Sequence, residues 1–194
     1  MALINARPRP FTVQEYARMG EAGVFRLGER VELIEGEIVS VRPHNLPHGD
    51  RIMKLNTRFV RAFGETHFVR VQLPLTLGDR SEPEPDFAVV SPEQAQMGPR
   101  HPPTADLVVE IADTSLSYDR AEKASLYARA KVPEYWLLNL VDGRLEVRTR
   151  PDPEPEAIFG WGYRELTILS PGQGIAPGFS PDTRFTVSEL LGEP

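Results

Sequence analysis

Residues 106–140 read DLVVEIADTSLSYDRAEKASLYARAKVPEYWLLNL, and this stretch decides the fold. Its opening, DLVVEIAD, is an apolar β-rich run of strand length. SYDRAEKASLYARAKV repeats apolar residues at helical spacing and is closed by Val132-Pro133, so a helix is predicted. EYWLLNL then returns to a buried strand. Upstream, HFVRVQLPLTL (67–77) and PDFAVV (85–90) are two further strand-like runs between polar or Pro-rich segments.

Further out, RPHNLPHGD leads into a predicted helix from about His48 to Gly64, with Ile52, Leu55, Phe59, Ala62 and Phe63 as its buried stripe. Arg51, Lys54, Arg58 and Arg61 cluster on its other side, where a stripe of charge is either solvated or available to phosphates. ERVELIEGEIVSV (29–41) predicts a hairpin around Glu35-Gly36. Across that turn Glu32, Ile34, Glu37, Val39 and Val41 share one face, which puts two carboxylates on largely apolar ground. FTVQEYARMG predicts a short helix opened by a Thr12/Glu15 capping box. Residues 1–10 read as a loose arm.

Downstream, Asp142-Gly143 is a hairpin turn into RLEVRTR, PDPEPE (151–156) reads as a rigid acidic loop, and GQGIAPG as a turn-rich segment. YRELTIL and DTRFTVSELL are too little for a second core. The expectation is one α/β (mixed α+β) domain over 1–194, with a mixed sheet, a core of about 11–150 and a C-terminal strand and loop extension at 151–194.

Composition narrows the function classes. The chain has 194 residues, 40% hydrophobic and 26% charged, with 22 cations against 28 anions for a net charge of −6. A uniformly basic nucleic-acid coat is thereby excluded, although a local basic stripe is not. Cysteine is absent, which excludes disulfides, thiolate metal sites and cysteine nucleophiles. No apolar run approaches membrane-spanning length, and MALINARPRPF lacks the apolar region of a secretory signal, so a cytoplasmic protein is expected.

The charged residues inside the apolar runs carry the chemistry. Glu110 sits in the middle of LVVEIA, where an ionised carboxylate is costly unless a cation or metal compensates it. Asp86 opens a strand that otherwise wants burial. On the helical wheel Lys123 falls in the apolar stripe with Asp119, Leu126, Tyr127 and Ala130, while Glu122, Ser125 and Arg129 cover the other side. Hard carboxylate oxygens suit Mg²⁺ or Mn²⁺, and a nearby lysine can orient water or stabilise a negative transition state. Asp86, Glu110 and Lys123 are thus a candidate set for phosphodiester hydrolysis. His48, in line with the buried stripe of its helix, is a further candidate for a metal or phosphate contact, or a cap. The bland alternative is that Glu110 and Lys123 form a buried ion pair and nothing more.

VELIEGE, His48 at the head of a helix, PDFAVV, and VVEIADTSLSYDRAEKASLYARAKVPEYWLLN together resemble the Uma-type restriction endonuclease family, over about Phe11–Arg150. That resemblance implies a restriction-endonuclease-like fold of the PD-(D/E)xK superfamily. It makes Asp86 the first acid and Glu110 the second. The lysine of the pattern would fall at Ala112, and the resemblance implies that Lys123 of the following helix takes its place. Glu32 and Glu37 match the family's hairpin acids, with Glu37 preferred here as the additional acid and His48 as a supporting group. The implied function is a Mg²⁺- or Mn²⁺-dependent endonuclease acting on nucleic acid, DNA above all. Asp86 and Glu110 would hold metal, and Arg51, Lys54 and Arg58 would contact the nucleic acid. A homodimer is compatible with it and no membrane contact is expected. The competing reading is a non-catalytic module that keeps the fold and binds nucleic acid or protein.

Overall fold

The structure, a computed structural model, describes residues 8–41, 46–97 and 100–192. Most of the expected loose arm lies outside the described residues. The first helix, α1 (Val13–Glu21), starts where the capping box predicts: the Thr12 hydroxyl accepts from the Glu15 amide at 3.2 Å, and the Glu15 carboxylate accepts from the Thr12 amide at 3.0 Å. β1 (Val31–Ile34) and β2 (Glu37–Ser40) form the expected hairpin, with Ile34 opposite Glu37 and Glu32 opposite Val39. Glu35 and Gly36 both have positive φ, 53° and 83°, as a tight two-residue hairpin turn demands. A Cβ at Gly36 would strike Pro10 and the Phe11 backbone, so the turn needs glycine on two counts.

α2 (Leu46–Phe63) leads to β3 (Phe68–Val71), β4 (Phe87–Val90), the short α3 (Gln94–Met97) and β5 (Leu107–Ala112). A helical segment follows in three parts: α4 (Leu116–Tyr118), a wider π-helical turn over Asp119–Lys123, and α5 (Ala124–Arg129). β6 (Glu134–Asn139), β7 (Arg144–Pro153) and β8 (Trp161–Leu169) complete a six-stranded sheet in the order β3-β4-β5-β6-β7-β8. Every neighbouring pair is antiparallel except β5 and β6, which run parallel. A parallel pair needs a crossover, and α4 to α5 supply it.

Strand alternation divides the core into two layers. Phe87, Val89, Leu107, Val109, Ile111, Trp136 and Leu138 pack on Leu55, Phe59 and Phe63 of α2. Ala88, Val90, Val108, Ala112, Tyr135 and Leu137 pack on Ala124, Leu126 and Tyr127 of α5, beside Ile34 of the hairpin. The charged Glu110 belongs to this second face.

Two expectations for the C-terminal part are corrected. β7 does not stop at Arg150 but runs through Pro151-Asp152-Pro153 of the supposed acidic loop. Its last β6 contact is Thr149 with Glu134, so beyond that residue only β8 pairs with it, and prolines are tolerated where one side is unpaired. The tail is also more than a strand and loop extension. β9 (Gly174–Ile175) pairs with β10 (Phe185–Thr186), and α6 (Val187–Leu191) follows under a Thr186/Glu189 capping box. Phe185, Val187, Leu190 and Leu191 fill the α2 layer. Among the described residues no helix is long and apolar enough to cross a membrane.

Candidate active site

The pairing of β4 with β5 places Phe87 opposite Val109, which brings Asp86 and Glu110 to the same end and face of the sheet. Each carboxylate accepts a backbone amide from the opposite strand segment. The Asp86 amide donates to Glu110 Oε2 at 3.0 Å, and the Ile111 amide donates to Asp86 Oδ2 at 2.9 Å. Both side chains are buried.

The π turn delivers the cation. Asp119 and Lys123, its first and last residues, both point inward and are buried. Lys123 Nζ lies 3.4 Å from Glu110 Oε1 and 2.8 Å from Glu32 Oε2. The Tyr127 hydroxyl, one turn on, donates to Glu110 Oε1 at 2.6 Å. Glu32 is fixed in turn by the Glu84 amide, which donates to its Oε1 at 3.1 Å. Asp119 accepts from the Ser115 hydroxyl at 2.6 Å. From α2, His48 Nε2 meets Asp86 Oδ1 at 3.2 Å.

The charges in this group are set by burial and by one another. Burial pushes the Glu110 carboxyl up to about 8; Lys123 opposes the rise and Asp86 adds to it. Burial likewise raises Asp119 to about 6, against the hydrogen bond from Ser115. For Lys123, burial disfavours the charge, but Glu32 and Glu110 outweigh it and the ammonium is held protonated. These groups line a cavity of about 370 Å³. Glu32, Glu84, Asp86, Glu110, Asp113 and Asp119 line it against the cations of Lys123 and Arg30, and acidic groups in such excess favour a further cation.

The donor chemistry fits a divalent ion. Asp86 and Glu110 are adjacent hard oxygen donors, the kind that Mg²⁺ takes one or two at a time while keeping waters. Among the described residues no three Asp, Glu, His or Cys groups are placed to hold one ion together.

The model of the family described as "Uma2: Putative restriction endonuclease" matches residues 13–188. The chain belongs to the Uma2 family. Its fold is similar to that of a crystal structure described as a putative nuclease belonging to DUF820 from Anabaena variabilis ATCC 29413. The two share 15% identity at a TM-score of 0.68, over 94% of this chain and 98% of that one. The type IIG restriction endonuclease BpuSI is a more distant match, at TM-score 0.39 and 21% identity, over 75% of this chain and 15% of the enzyme. No curated protein sequence matches the chain.

In this Uma2 protein the structure brings Asp86, Glu110, Lys123 and His48 together, and it leaves Glu37 out. Glu37 is exposed beside the hairpin turn, opposite Ile34, and does not line the cavity. The other hairpin acid, Glu32, takes the inner place, because a bridge between Leu33 and Glu82 pins that end of β1 to the segment before Asp86. Ser125, expected on the open side of its helix, is buried by β8: its hydroxyl donates to the Trp161 carbonyl at 2.6 Å. The basic face of α2 is partly occupied by the chain itself. Arg51 Nε donates to the Leu191 carbonyl at 3.0 Å and Arg58 pairs with Glu189 at 3.3 Å, while Lys54 is exposed.

Sequence reasoning missed Gln72, Tyr118 and the role of Tyr127. Gln72 holds a left-handed φ of 50° after β3 and its amide reaches within 3.4 Å of Asp86 Oδ1. No local signal marks it. Tyr127 was readable as a helix residue on the same stripe as Lys123, but its hydroxyl had no predictable partner.

Proposed function

We propose that this Uma2 protein is a divalent-metal-dependent endonuclease that hydrolyses phosphodiester bonds, with DNA as its substrate. The observation that carries the reading is the contact of Lys123 with Glu110, 3.4 Å apart, on a carboxylate already locked to the Asp86 backbone. Three buried charged side chains from three separate elements converge on one cavity, an arrangement that is expensive for a purely structural role.

Asp86 and Glu110 would hold Mg²⁺ or Mn²⁺, which when bound lowers the pKa of a water and neutralises charge on a phosphoryl oxygen. Lys123 is kept protonated by Glu32 and Glu110, so it can orient the attacking water and stabilise negative charge as it develops. Glu32 therefore serves as the additional acid by holding Lys123, not by meeting the substrate. Tyr127 fixes one oxygen of Glu110, and His48 supports Asp86. Lys54, Arg51 and Arg58 are the proposed phosphate contacts on α2, with Lys54 the most open of the three. Pairing into a homodimer, which would set one site against each strand of a duplex, belongs to the same proposal.

The test is Mg²⁺ and Mn²⁺ titration by calorimetry on wild type and Asp86→Ala/Glu110→Ala, alongside cleavage of supercoiled plasmid with and without EDTA. Saturable binding and cleavage, both lost in the double variant and in EDTA, are expected. Cleavage indifferent to both changes, or no metal binding at all, overturns the reading in favour of a non-catalytic module with a structural charge cluster.

A further inference from the structure

Tyrosine hydroxyls in this protein are tied down, with one exception. Tyr16 donates to the Val31 carbonyl, Tyr127 to Glu110, Tyr135 to the Asp119 carbonyl and Tyr163 to the Val132 carbonyl. The fifth, Tyr118, has its hydroxyl buried with no hydrogen-bond partner among the described residues. It is also a tyrosine that lines the cavity shared by Asp86, Glu110 and Lys123.

A buried hydroxyl without a partner destabilises the protein, and phenylalanine would pack in its place without that cost. The hydroxyl sits at the end of α4, immediately before the π turn, and feels the charges of Lys123, Glu32, Glu122 and Asp119. Burial above all pushes the phenol up to about 12, so near neutral pH it stays protonated and offers a hydrogen bond. Six acidic side chains also line the cavity and offer only acceptors once ionised. A ligand rich in acceptor oxygens therefore meets cationic donors in Lys123 and Arg30, and in the Tyr118 hydroxyl a neutral donor that is not engaged elsewhere among the described residues.

We propose that Tyr118 is a substrate-contacting residue whose hydroxyl donates to a non-bridging oxygen of a phosphoester bound in the cavity. This deepens the nuclease reading and rests on it for the substrate class. It also predicts a sign that a structural tyrosine would not show: removal of the hydroxyl weakens binding without weakening the fold.

The experiment compares full-length wild type, Tyr118→Phe and Glu110→Gln in Mg²⁺. Three readouts are taken: thermal unfolding without ligand, calorimetric binding of thymidine 5′-monophosphate, and plasmid cleavage. For Tyr118→Phe the expected result is an unfolding temperature equal to or above wild type, with binding weakened about 10- to 100-fold, the range for a hydrogen bond to a charged group. Equal binding by Tyr118→Phe, a clear fall in its unfolding temperature, or no binding by wild type overturns the proposal. The nuclease reading is judged separately. Cleavage that is absent in wild type, or unchanged in Glu110→Gln, defeats that reading, and Tyr118-dependent nucleotide binding would then stand as a phosphate contact without hydrolysis.

Discussion

Replacing Lys123 by methionine tests the electrostatics of the site without any assumption about substrate. Lys123 is 5% exposed, and its two partners, Glu32 and Glu110, are 3% and 6% exposed. Methionine keeps most of the packing volume but leaves the two carboxylates without their cation. Glu110 is already largely protonated at pH 7, since burial lifts it to about 8, and loss of Lys123 only favours that neutral form further. The charge stranded at neutral pH is then that of Glu32. Removing one partner of a buried pair costs about 3–5 kcal/mol. In a chain of this size each kcal/mol lowers the unfolding temperature by roughly 2–4 °C, so Lys123→Met is expected to unfold about 6–20 °C below wild type. The assay is scanning calorimetry at pH 7 in EDTA, repeated on Lys123→Met/Glu32→Gln, which should recover more than half of the loss because the stranded charge is gone. A single variant that unfolds within about 2 °C of wild type, or a double variant no better than the single one, would show that Lys123 is not the counter-charge of Glu32.

The remaining predictions concern pH and the C-terminal segment. Glu110 is raised from 4.5 to about 8 in the folded protein, so the native state binds more protons than the unfolded chain in between. In EDTA, stability should therefore be highest near and below pH 4.5 as far as this group is concerned, and should fall as pH rises to about 8. At about 1.4 kcal/mol per pKa unit the ceiling is roughly 5 kcal/mol, and Glu110→Gln should flatten that part of a pH series of unfolding temperatures; an unchanged slope would contradict the assignment. Leu190→Ala, at a fully buried site on α6, should cost about 2–5 kcal/mol by chemical denaturation, whereas a loss below about 1 kcal/mol would mean that the tail does not belong to the core.

Much of this architecture is legible in the sequence because local rules and burial agree there. The hairpin register follows from Glu35-Gly36, α1 from Thr12 and Glu15, and the stripe of α2 from the spacing of Leu55, Phe59 and Phe63. Asp86, Glu110 and Lys123 stand out for a single physical reason, that a charge inside an apolar run demands a partner. What the reading did not see were contacts distant in sequence. Glu32 and Glu37 share a face of the hairpin, and only the bridge from Leu33 to Glu82 selects the one that goes inside. Arg51 and Arg58 look like a free basic face until α6 returns from the far end of the chain to meet them. α6 itself, at five residues, is too short for a periodic signal, although its Thr186/Glu189 capping box was there to be read.

The position of the lysine is the most instructive departure. The sequence resemblance would put a lysine two residues after Glu110, on the same face of β5, but that position is Ala112. Ala112 is fully buried in the layer that also contains Ala124, Leu126 and Tyr127 of α5. A long cationic side chain at 112 would occupy the space these residues fill, so the small residue is what lets the helix lie close. Once the helix is close, the π turn aims Asp119 and Lys123 inward together, and Nζ arrives at Glu110 from the helix side of the site. π turns inside helices are uncommon and concentrate at functional sites, because widening the helix sacrifices regular hydrogen bonding to re-aim side chains. A small residue at 112 and the irregular turn at 119–123 therefore serve one arrangement. On this account Ala112→Lys should not restore a second usable ammonium but should displace α5. The same substitution would then lower stability, and an Ala112→Lys variant of wild-type stability would refute the steric argument.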